Sequence, residues 1–300
     1  METFVKQIVN GITIGSLYAL VAMGYNLIFG VLSVLSFAQG AIIMIGAYAM
    51  IFAISVLSLS YPLAIAFGVL TAGATGLMVE RVSVRPIKVR RGKDLQWGVI
   101  IATIGMVIFL EALVRRFTSG RPESFPVPFE TVYFQLPLDV RITSLQLILM
   151  AASLALLAVL MLLIYRTKFG QAVRAIAQSQ RFAHSVGIDT QRITVLTFGL
   201  ASALGGATGI LYSIHYKAVY VYMGSTVLGL KGLVVIIVAG VGNLPGCVAM
   251  GLVLGILEVM SVGYISSSYR DFIAYGILLI MLFVRPSGLF GERGKVEFTV

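Results

Sequence analysis

The sequence predicts an all-α polytopic membrane protein, and three observations carry this prediction. Hydrophobic residues make up 59% of the 300-residue chain, and charged residues make up only 11%. The apolar runs are about 20 residues long, which is the length that a helix needs to cross the hydrocarbon core of a bilayer. These runs are continuous and do not alternate with polar residues, which excludes a membrane β-barrel.

About nine apolar spans follow one another along the chain, and the pattern is compatible with eight to ten. They cover residues 8–29, 34–56, 61–80, 96–117, 143–165, 192–213, 227–241, 246–264 and 271–285. The seventh span is short and flanked by glycine, which is compatible with a broken or re-entrant helix packed inside protein. Residues 1–300 are therefore interpreted as a single transmembrane domain.

The distribution of positive charge predicts how the spans are oriented. Most of the 22 Lys and Arg residues lie in alternate connections, on the side that holds residues 81–95, residues 166–191 and the C-terminus. Positively charged loops are retained in the cytoplasm. Residues 81–95 are thus expected to form a basic cytoplasmic loop, and the C-terminus is expected to be cytoplasmic. The N-terminus and the proline-rich loop at residues 118–142 are then outside, which requires an odd number of spans and favours nine.

Residues 166–192 form the only long polar, helix-like segment between two strongly apolar spans. Its apolar residues recur at roughly helical spacing, namely Ala175, Ile176, Phe182, Ala183 and Val186. Arg174 and Arg181 remain available to solvent or to a partner, and Gly187 is expected to end the helix. Such an amphipathic helix can lie on lipid or fit into a groove of another protein. A solvated connector is the alternative interpretation.

Three ionisable residues lie within the apolar spans, namely Glu111, Lys231 and Glu258. Charges are costly in hydrocarbon and usually face the interior of a helix bundle. Lys231 and Glu258 could pair near the entrance of a pathway, and a purely structural ion pair is the alternative. A proton-coupled carrier would more often need several acidic or histidine groups spread through the membrane.

Glycines four residues apart predict close packing between spans. Such pairs occur at Gly11 and Gly15, at Gly205 and Gly209, and at Gly251 and Gly255. Glycine at this spacing lets two helix backbones approach closely. The pattern indicates a tightly packed bundle and does not indicate a particular ligand.

The sequence contains no recognisable nucleotide-binding or catalytic motif. Residues 224–232 imitate a phosphate loop but lack the Gly-Lys-Ser/Thr ending, and residues 240–246 fit a tight turn between spans. With Cys247 as the only cysteine, no cysteine-based metal site is possible. The positive charges lie beside apolar spans, so they do not indicate nucleic-acid binding. Energy for any transport is thus expected to come from a separate protein.

Several stretches together carry a resemblance to a known family. They read GSLYALVAMGYNLIFGVLSVLSFAQG at residues 15–40, VRPIKVRRGKDLQWGVIIATIGMVIFLEA, TKFGQAVRAIAQSQRFAHSVGIDTQRITVLTFGLASALGGATGIL, GLKGLVVIIVAGVGNLPGCVAMGLVLGILE and the closing FVRPSGLFGE. In this order and spacing, the chain resembles the LivH-type permease subunit of branched-chain amino acid ABC importers. That family also includes permeases for urea, amides and other small amino acid-like solutes.

The resemblance implies roles for particular residues. The family's coupling loop reads Glu-Ala-Ala, three residues, then Gly; here the first three positions are Arg181, Phe182 and Ala183, and the glycine is Gly187. Only the second alanine and the glycine are kept. The residues expected to couple to the ATPase are Arg174, Arg181, Phe182, Ala183, Gly187 and Ile188.

A second stretch of the resemblance concerns the translocation path. The family's Asn-Phe-Ala-His-Gly reads Ser-Phe-Ala-Gln-Gly at residues 36–40. Gln39 keeps the hydrogen-bonding capacity of the histidine but does not titrate near neutral pH. Candidates for the translocation path are therefore Gln39, Glu111, Lys231 and Glu258.

The resemblance also implies partners and a location. The chain would be a multi-pass protein of the bacterial inner membrane and would pair with a second homologous permease or with itself. Two ABC ATPase subunits would use ATP and Mg²⁺, and an extracytoplasmic binding protein would deliver the solute. The chain itself would hold no cofactor and catalyse no reaction. An ion-coupled secondary carrier is the alternative; a channel and an intramembrane enzyme have less support, because neither a charged ring nor a nucleophile–base pair stands out.

Overall fold

The computed structural model describes residues 2–89, 95–127, 133–136 and 140–291. Within them, eight helices are long and apolar enough to cross a membrane, which confirms the prediction of an all-α polytopic membrane protein. The α-helices are α1 Glu2–Leu32, α2 Ala38–Ser55, α3 Tyr61–Val79, α4 Arg85–Val89, α5 Leu95–Thr118, α6 Ser144–Arg166, α7 Lys168–Gln178, α8 Gln180–Ser185, α9 Thr190–Tyr216, α10 Leu230–Ala239, α11 Leu244–Tyr264 and α12 Arg270–Val284.

The seventh predicted span is a broken helix. A π-helix at Met223–Gly229 runs directly into α10, and together they form a 17-residue apolar helix. This segment is shorter than the eight longer spans and is interrupted where the two helix types meet. The break agrees with the interpretation of residues 227–241 as an irregular span.

Two predicted loops contain regular structure. The π-helix Glu80–Val84 extends α3 into α4, so residues 81–89 are helical and the interpretation of residues 81–95 as a loop is corrected there. Residues 90–94 lie outside the described residues. Within residues 118–142, strand β1 (Glu123–Ser124) pairs antiparallel with β4 (Ala218–Val219), and β2 (Tyr133–Leu136) pairs with β3 (Val140–Thr143). Residues 128–132 and 137–139 lie outside the described residues.

The chain divides into two compact units. Unit 1 comprises Met1–Asn26, Phe129–Leu157 and Lys231–Val300, and unit 2 comprises Leu27–Pro128 and Ala158–Leu230. Each unit has its own closely packed helices and its own candidate site residues.

Glycine allows the closest helix contacts in both units. In unit 1, Gly15 of α1 lies against Gly255 of α11, so closely that a side chain at Gly255 would overlap the α1 backbone. In unit 2, Gly46 of α2 lies against Gly206 of α9 in the same manner. Because these contacts join backbones, they fix the spacing of the helices. The predicted role of Gly15 and Gly255 in close packing is confirmed.

Candidate functional site

The first candidate site is a buried ion pair in unit 1. The Nζ atom of Lys231, at the start of α10, lies 2.9 Å from Oε1 of Glu258 in α11. The exposed fraction is 1% for Lys231 and 0% for Glu258. The pairing expected from the sequence is therefore present, and it lies in a part of unit 1 where water does not screen it.

Two further charged side chains complete a cluster that is neutral overall. The Lys231 ammonium lies 3.0 Å from Oδ1 of Asp271, and Nε of Arg270 donates a hydrogen bond to Oε1 of Glu258. The Tyr18 hydroxyl donates to the same Glu258 oxygen at 2.9 Å. Two cations thus face two carboxylates, which offsets the cost of burying them. We call these five residues the charge cluster.

The charge cluster extends from the interior of unit 1 to its surface. Side-chain exposure rises from 2% for Lys231 to 32% for Arg270 and 66% for Asp271. Sequence reasoning missed Arg270, Asp271 and Tyr18 as members of the cluster. The signal that could have found two of them was the adjacent Arg-Asp pair at the start of an apolar span.

The other two path candidates belong to unit 2. Glu111 of α5 is buried and accepts a hydrogen bond from the hydroxyl of Ser225, which lies in the π-helix before α10. Gln39 of α2 is also buried, and its Nε2 donates to the Ala201 carbonyl of α9 at 2.7 Å. Its Oε1 accepts no hydrogen bond from the described residues. Their assignment to a translocation path stays a prediction, as it does for Lys231 and Glu258.

The second candidate site is the helix pair α7–α8, which lies in the segment predicted to contact a partner. Thr167 caps α7 by accepting from the Gly170 N–H at 3.2 Å. Ser179 ends α7 and also begins α8, because its N–H donates to the Ala175 carbonyl and its hydroxyl accepts from the Phe182 N–H. The helical segment is therefore two helices joined at Ser179, where the sequence pattern predicted one.

Gly187 ends α8 as predicted. Its φ is +84°, its N–H donates to the His184 carbonyl at 3.0 Å, and the Ile188 N–H donates to the Ala183 carbonyl at 3.1 Å. These two bonds form a Schellman motif, which favours glycine because the residue after the helix adopts a left-handed conformation. Asp189 then caps α9 by accepting from the Arg192 N–H at 3.0 Å.

The apolar residues of the helix pair divide into an inner and an outer set. Ile176 and Ala183 are buried, whereas Phe182 and Val186 are 78% and 77% exposed. Phe182 and Val186 are four residues apart, so they lie on one face of the last helical turn. We call Phe182 and Val186 the exposed apolar pair.

The helix pair that carries the exposed apolar pair also exposes positive charge. Arg174 and Arg181 are exposed, and the Arg174 guanidinium lies 5.1 Å from the centre of the Tyr165 ring. The only acidic residue between positions 166 and 192 is Asp189, which is engaged in capping α9. The helix pair thus presents an apolar and basic surface, which suits a partner groove with acidic walls.

Long apolar helices and a buried neutral charge cluster within them define a multi-pass integral membrane protein. The family described as "Branched-chain amino acid transport system / permease component" matches residues 7–282. The chain therefore belongs to this family of transport permeases, which confirms the resemblance seen in the sequence.

Individual relatives agree over most of the chain. The Escherichia coli K12 protein named "High-affinity branched-chain amino acid transport system permease protein LivH" is 33% identical, over 98% of this chain and 97% of that protein. The Pseudomonas aeruginosa protein BraD, which has the same descriptive name, is 32% identical over the same shares. The Escherichia coli K12 "Inner membrane ABC transporter permease protein YjfF" is 24% identical over 77% of this chain and 67% of that protein.

Proposed function

We propose that this chain is the membrane-spanning permease subunit of an ATP-binding cassette importer in the bacterial inner membrane. Its solute is a branched-chain amino acid or a similar small polar molecule, delivered by an extracytoplasmic binding protein. The observation that carries the proposal is the helix pair α7–α8, which exposes Phe182 and Val186 and also exposes Arg174 and Arg181. An apolar pair exposed beside basic residues fits docking into a protein groove.

Docking would use the two faces of the helix pair differently. Phe182, Val186, Arg174 and Arg181 would contact the ATPase subunit, because all four are exposed. Ala183 would not contact it directly, since its side chain is buried inside unit 2. Replacement of the family's acidic residue by Arg181 predicts that the groove in the partner is acidic.

The path of movement from the helix pair runs through α9. Gly187 and Ile188 close the Schellman motif, and Asp189 begins α9 directly after it. In unit 2, α9 packs closely along α2, where Gly46 lies against Gly206. A displacement of α8 would therefore be passed to α9 by a short, hydrogen-bonded connection, and from α9 to the helices around it.

ATP and Mg²⁺ would be bound by two separate ATPase subunits, and a second permease, either homologous or identical, would complete the membrane part. Substrate would cross when closure of the ATPase subunits moves the coupling helices. Gln39, Glu111, Lys231 and Glu258 remain our candidates for the path. The chain itself would act as a transport subunit without catalysing a reaction.

Copurification tests the partner part of this proposal. The chain is expressed with the products of its neighbouring genes and purified in mild detergent, and ATP-binding subunits are expected to copurify stoichiometrically. Phe182→Asp should abolish copurification without lowering the yield of the chain, because Phe182 is exposed. Phe117→Asp is the matched control, since Phe117 is similarly exposed, at 81%, near the end of α5.

Two results would contradict the proposal. Equal copurification by both aspartate variants would show that the exposed apolar pair does not bind the ATPase. A chain that purifies alone and takes up solute in response to an ion gradient would favour a secondary carrier.

A further inference from the structure

Helix α3 continues beyond the point where its apolar residues end. The π-helix Glu80–Val84 and α4 Arg85–Val89 follow it without a break, so the first basic residues after the span are still helical. Arg81 and Arg85 are four residues apart in this extension, and both are exposed. Residues at this spacing are neighbours on a helix surface, so the two arginines lie on the same side of the extension.

This side of the extension continues the lipid-facing stripe of α3. Large apolar side chains are exposed along the stripe, namely Leu63, Leu70, Leu77 and Met78. The opposite side of α3 packs closely against α9 at Gly68 and Gly76. Arg81 follows Leu77 by about one turn, and Arg85 follows Arg81 by another. The two cations therefore lie where the lipid-facing stripe leaves the hydrocarbon.

The neighbouring helix α5 has a similar stripe, which begins with a tryptophan. Trp97 is 68% exposed, and exposed isoleucines follow it on the same face, namely Ile101, Ile104 and Ile108. A Cβ at Gly98 would lie 3.1 Å from the Ile87 side chain of α4, so Trp97 lies at the level of α4. Tryptophan is enriched where spanning helices meet the lipid headgroups. Trp97 thus indicates the headgroup depth independently of the arginines.

Helix α9 orients one of the two guanidinium groups. With its amide oxygen facing Arg85, Gln191 accepts hydrogen bonds from Nε and one Nη of Arg85 at 2.8 and 2.7 Å. Among the residues that the structure describes, neither Arg81 nor Arg85 forms an ion pair with an acidic side chain. The planar guanidinium group matches the geometry of a phosphate, so two of them on one helix face suit a phosphate ligand.

We propose that Arg81, Arg85 and Trp97 form a binding site for an anionic phospholipid such as phosphatidylglycerol, in the predicted cytoplasmic leaflet. The two guanidinium groups contact the lipid phosphate, and the acyl chains lie along the exposed stripe of α3. Retention of positive charge in the cytoplasm accounts for cations at this end of α3, but it does not account for their position on the lipid-facing side. Cations beside a span attract anionic lipid. This site is additional to the proposed transport function and does not depend on it.

Thermal unfolding of the full chain in nanodiscs tests the proposal with defined lipids. Phosphatidylglycerol, titrated into phosphatidylcholine, is expected to raise the Tm in a saturable manner. Phosphatidylethanolamine has no net charge and should not raise the Tm. Soluble glycerol 3-phosphate lacks acyl chains and should have no effect either. Arg81→Gln should raise the half-saturating fraction of phosphatidylglycerol about fivefold, the scale of one cation beside an anionic membrane surface.

Three further variants separate lipid binding from folding and from net charge. Arg81→Lys keeps the charge and should keep most of the response, and the Tm in phosphatidylcholine alone reports whether each variant is folded. Arg121→Gln is the matched control, because Arg121 is also exposed but lies beyond the other end of α5. It should respond as the wild type does. Trp97→Leu keeps the charge and an apolar side chain and should weaken the response less than Arg81→Gln.

Four outcomes would overturn the proposal. The first is a wild-type Tm that phosphatidylglycerol does not change, and the second is a response that Arg81→Gln leaves unaltered. The third is an equal shift in Arg121→Gln, which would show an effect of net charge alone. The fourth is a Tm increase by glycerol 3-phosphate, which would indicate a site for a soluble phosphate compound. ATPase copurification tests the proposed function separately, so none of these outcomes would reject it.

Discussion

The Lys231 ammonium lies 2.9 Å from the Glu258 carboxylate inside unit 1, with both side chains almost fully buried. The same ammonium lies 3.0 Å from Asp271, whose side chain is largely exposed. The buried pair therefore has a second contact at the surface of the unit. A buried ion pair adds little net stability, because desolvation of the two charges offsets their attraction. Removing one partner is strongly destabilising, because it leaves the other charge buried without compensation.

We expect single neutralising substitutions in the buried pair to be more damaging than the double substitution. Glu258→Gln or Lys231→Met should each lower stability by up to about 3–5 kcal/mol, because each leaves a buried charge with a single, more exposed counter-ion, Asp271 for Lys231 or Arg270 for Glu258. Lys231→Met combined with Glu258→Gln should recover most of this loss, since Arg270 and Asp271 still balance each other. The measurement is the unfolding midpoint and yield of the purified chain in detergent.

Asp271→Asn provides the control for this cycle. Its side chain is 66% exposed, so its contact with Lys231 should contribute no more than about 1 kcal/mol. If the double variant loses as much stability as the two single variants together, Lys231 and Glu258 are not coupled, and this would contradict the assignment of a buried pair.

Gly187→Pro should uncouple ATP hydrolysis from uptake while the chain still inserts in the membrane. Proline cannot adopt the φ of +84° at this position and removes the N–H that donates to the His184 carbonyl. Gly187→Asn should be tolerated better, because asparagine enters the left-handed region more readily. The measurement is the ratio of ATP hydrolysis to solute uptake, and normal coupling in the proline variant would reject the role assigned to Gly187.

Ala183→Glu should disrupt the helix pair, because it introduces a charge at a buried position. Ser185→Glu introduces the same charge two residues away at an exposed position and should keep more of the ATPase binding. Limited proteolysis at residues 166–192 and ATPase copurification measure the two effects. Equal loss of ATPase copurification in both variants would show that the added charge acts on the partner and that burial of Ala183 is not the cause.

Gly255→Ala should destabilise the chain by more than 1 kcal/mol, on the order of an overpacked helix contact. The added Cβ would overlap Gly15 on α1. Gly105→Ala is the control, because a Cβ at Gly105 meets no atom of the described residues within 4 Å. It should be neutral or stabilising, by up to about 1 kcal/mol from helix propensity. Equal unfolding midpoints for the two variants would contradict the α1–α11 contact.

The orientation predicted from the positive charges can be tested with single cysteines. Cys247 is the only cysteine, so Cys247→Ala gives a cysteine-free background. In that background, Phe182→Cys should react with a membrane-impermeant maleimide only after permeabilisation, and Phe117→Cys should react in intact spheroplasts. Both positions are highly exposed, so access to the side chain does not differ between them. The reversed labelling pattern would place the helix pair outside the cell.

Much of the fold could be predicted from the sequence because the spans are set by hydropathy alone. A long apolar run can satisfy its backbone in lipid only as a helix, so the eight long spans follow from composition. The stop at Gly187 was also predictable, since a left-handed residue after a helix favours glycine. Lys231 and Glu258 were recognisable as a pair because each is costly alone in an apolar span.

Other features depend on tertiary contacts that no local pattern encodes. The sequence around Ser179 is compatible with one continuous polar helix and equally with two consecutive helices, so the break between α7 and α8 was not predictable. Residues 81–89 are basic, and their charge suggested a loop although α3 continues through them by a π-helix. Tyr18 joins the charge cluster across more than 200 residues of sequence, and its hydrogen bond depends on how α1 packs against α11.

Solute uptake in proteoliposomes tests the central claim most directly. The vesicles contain this chain together with its copurified ATPase subunits and any second permease. The binding protein is supplied on the side of the membrane opposite to the ATPase subunits. We predict that uptake requires ATP and Mg²⁺, stops when Phe182→Asp removes the ATPase contact, and persists in Phe117→Asp. Uptake by this chain alone, without ATP and in response to an ion gradient, would contradict the assignment as an ATP-driven permease subunit.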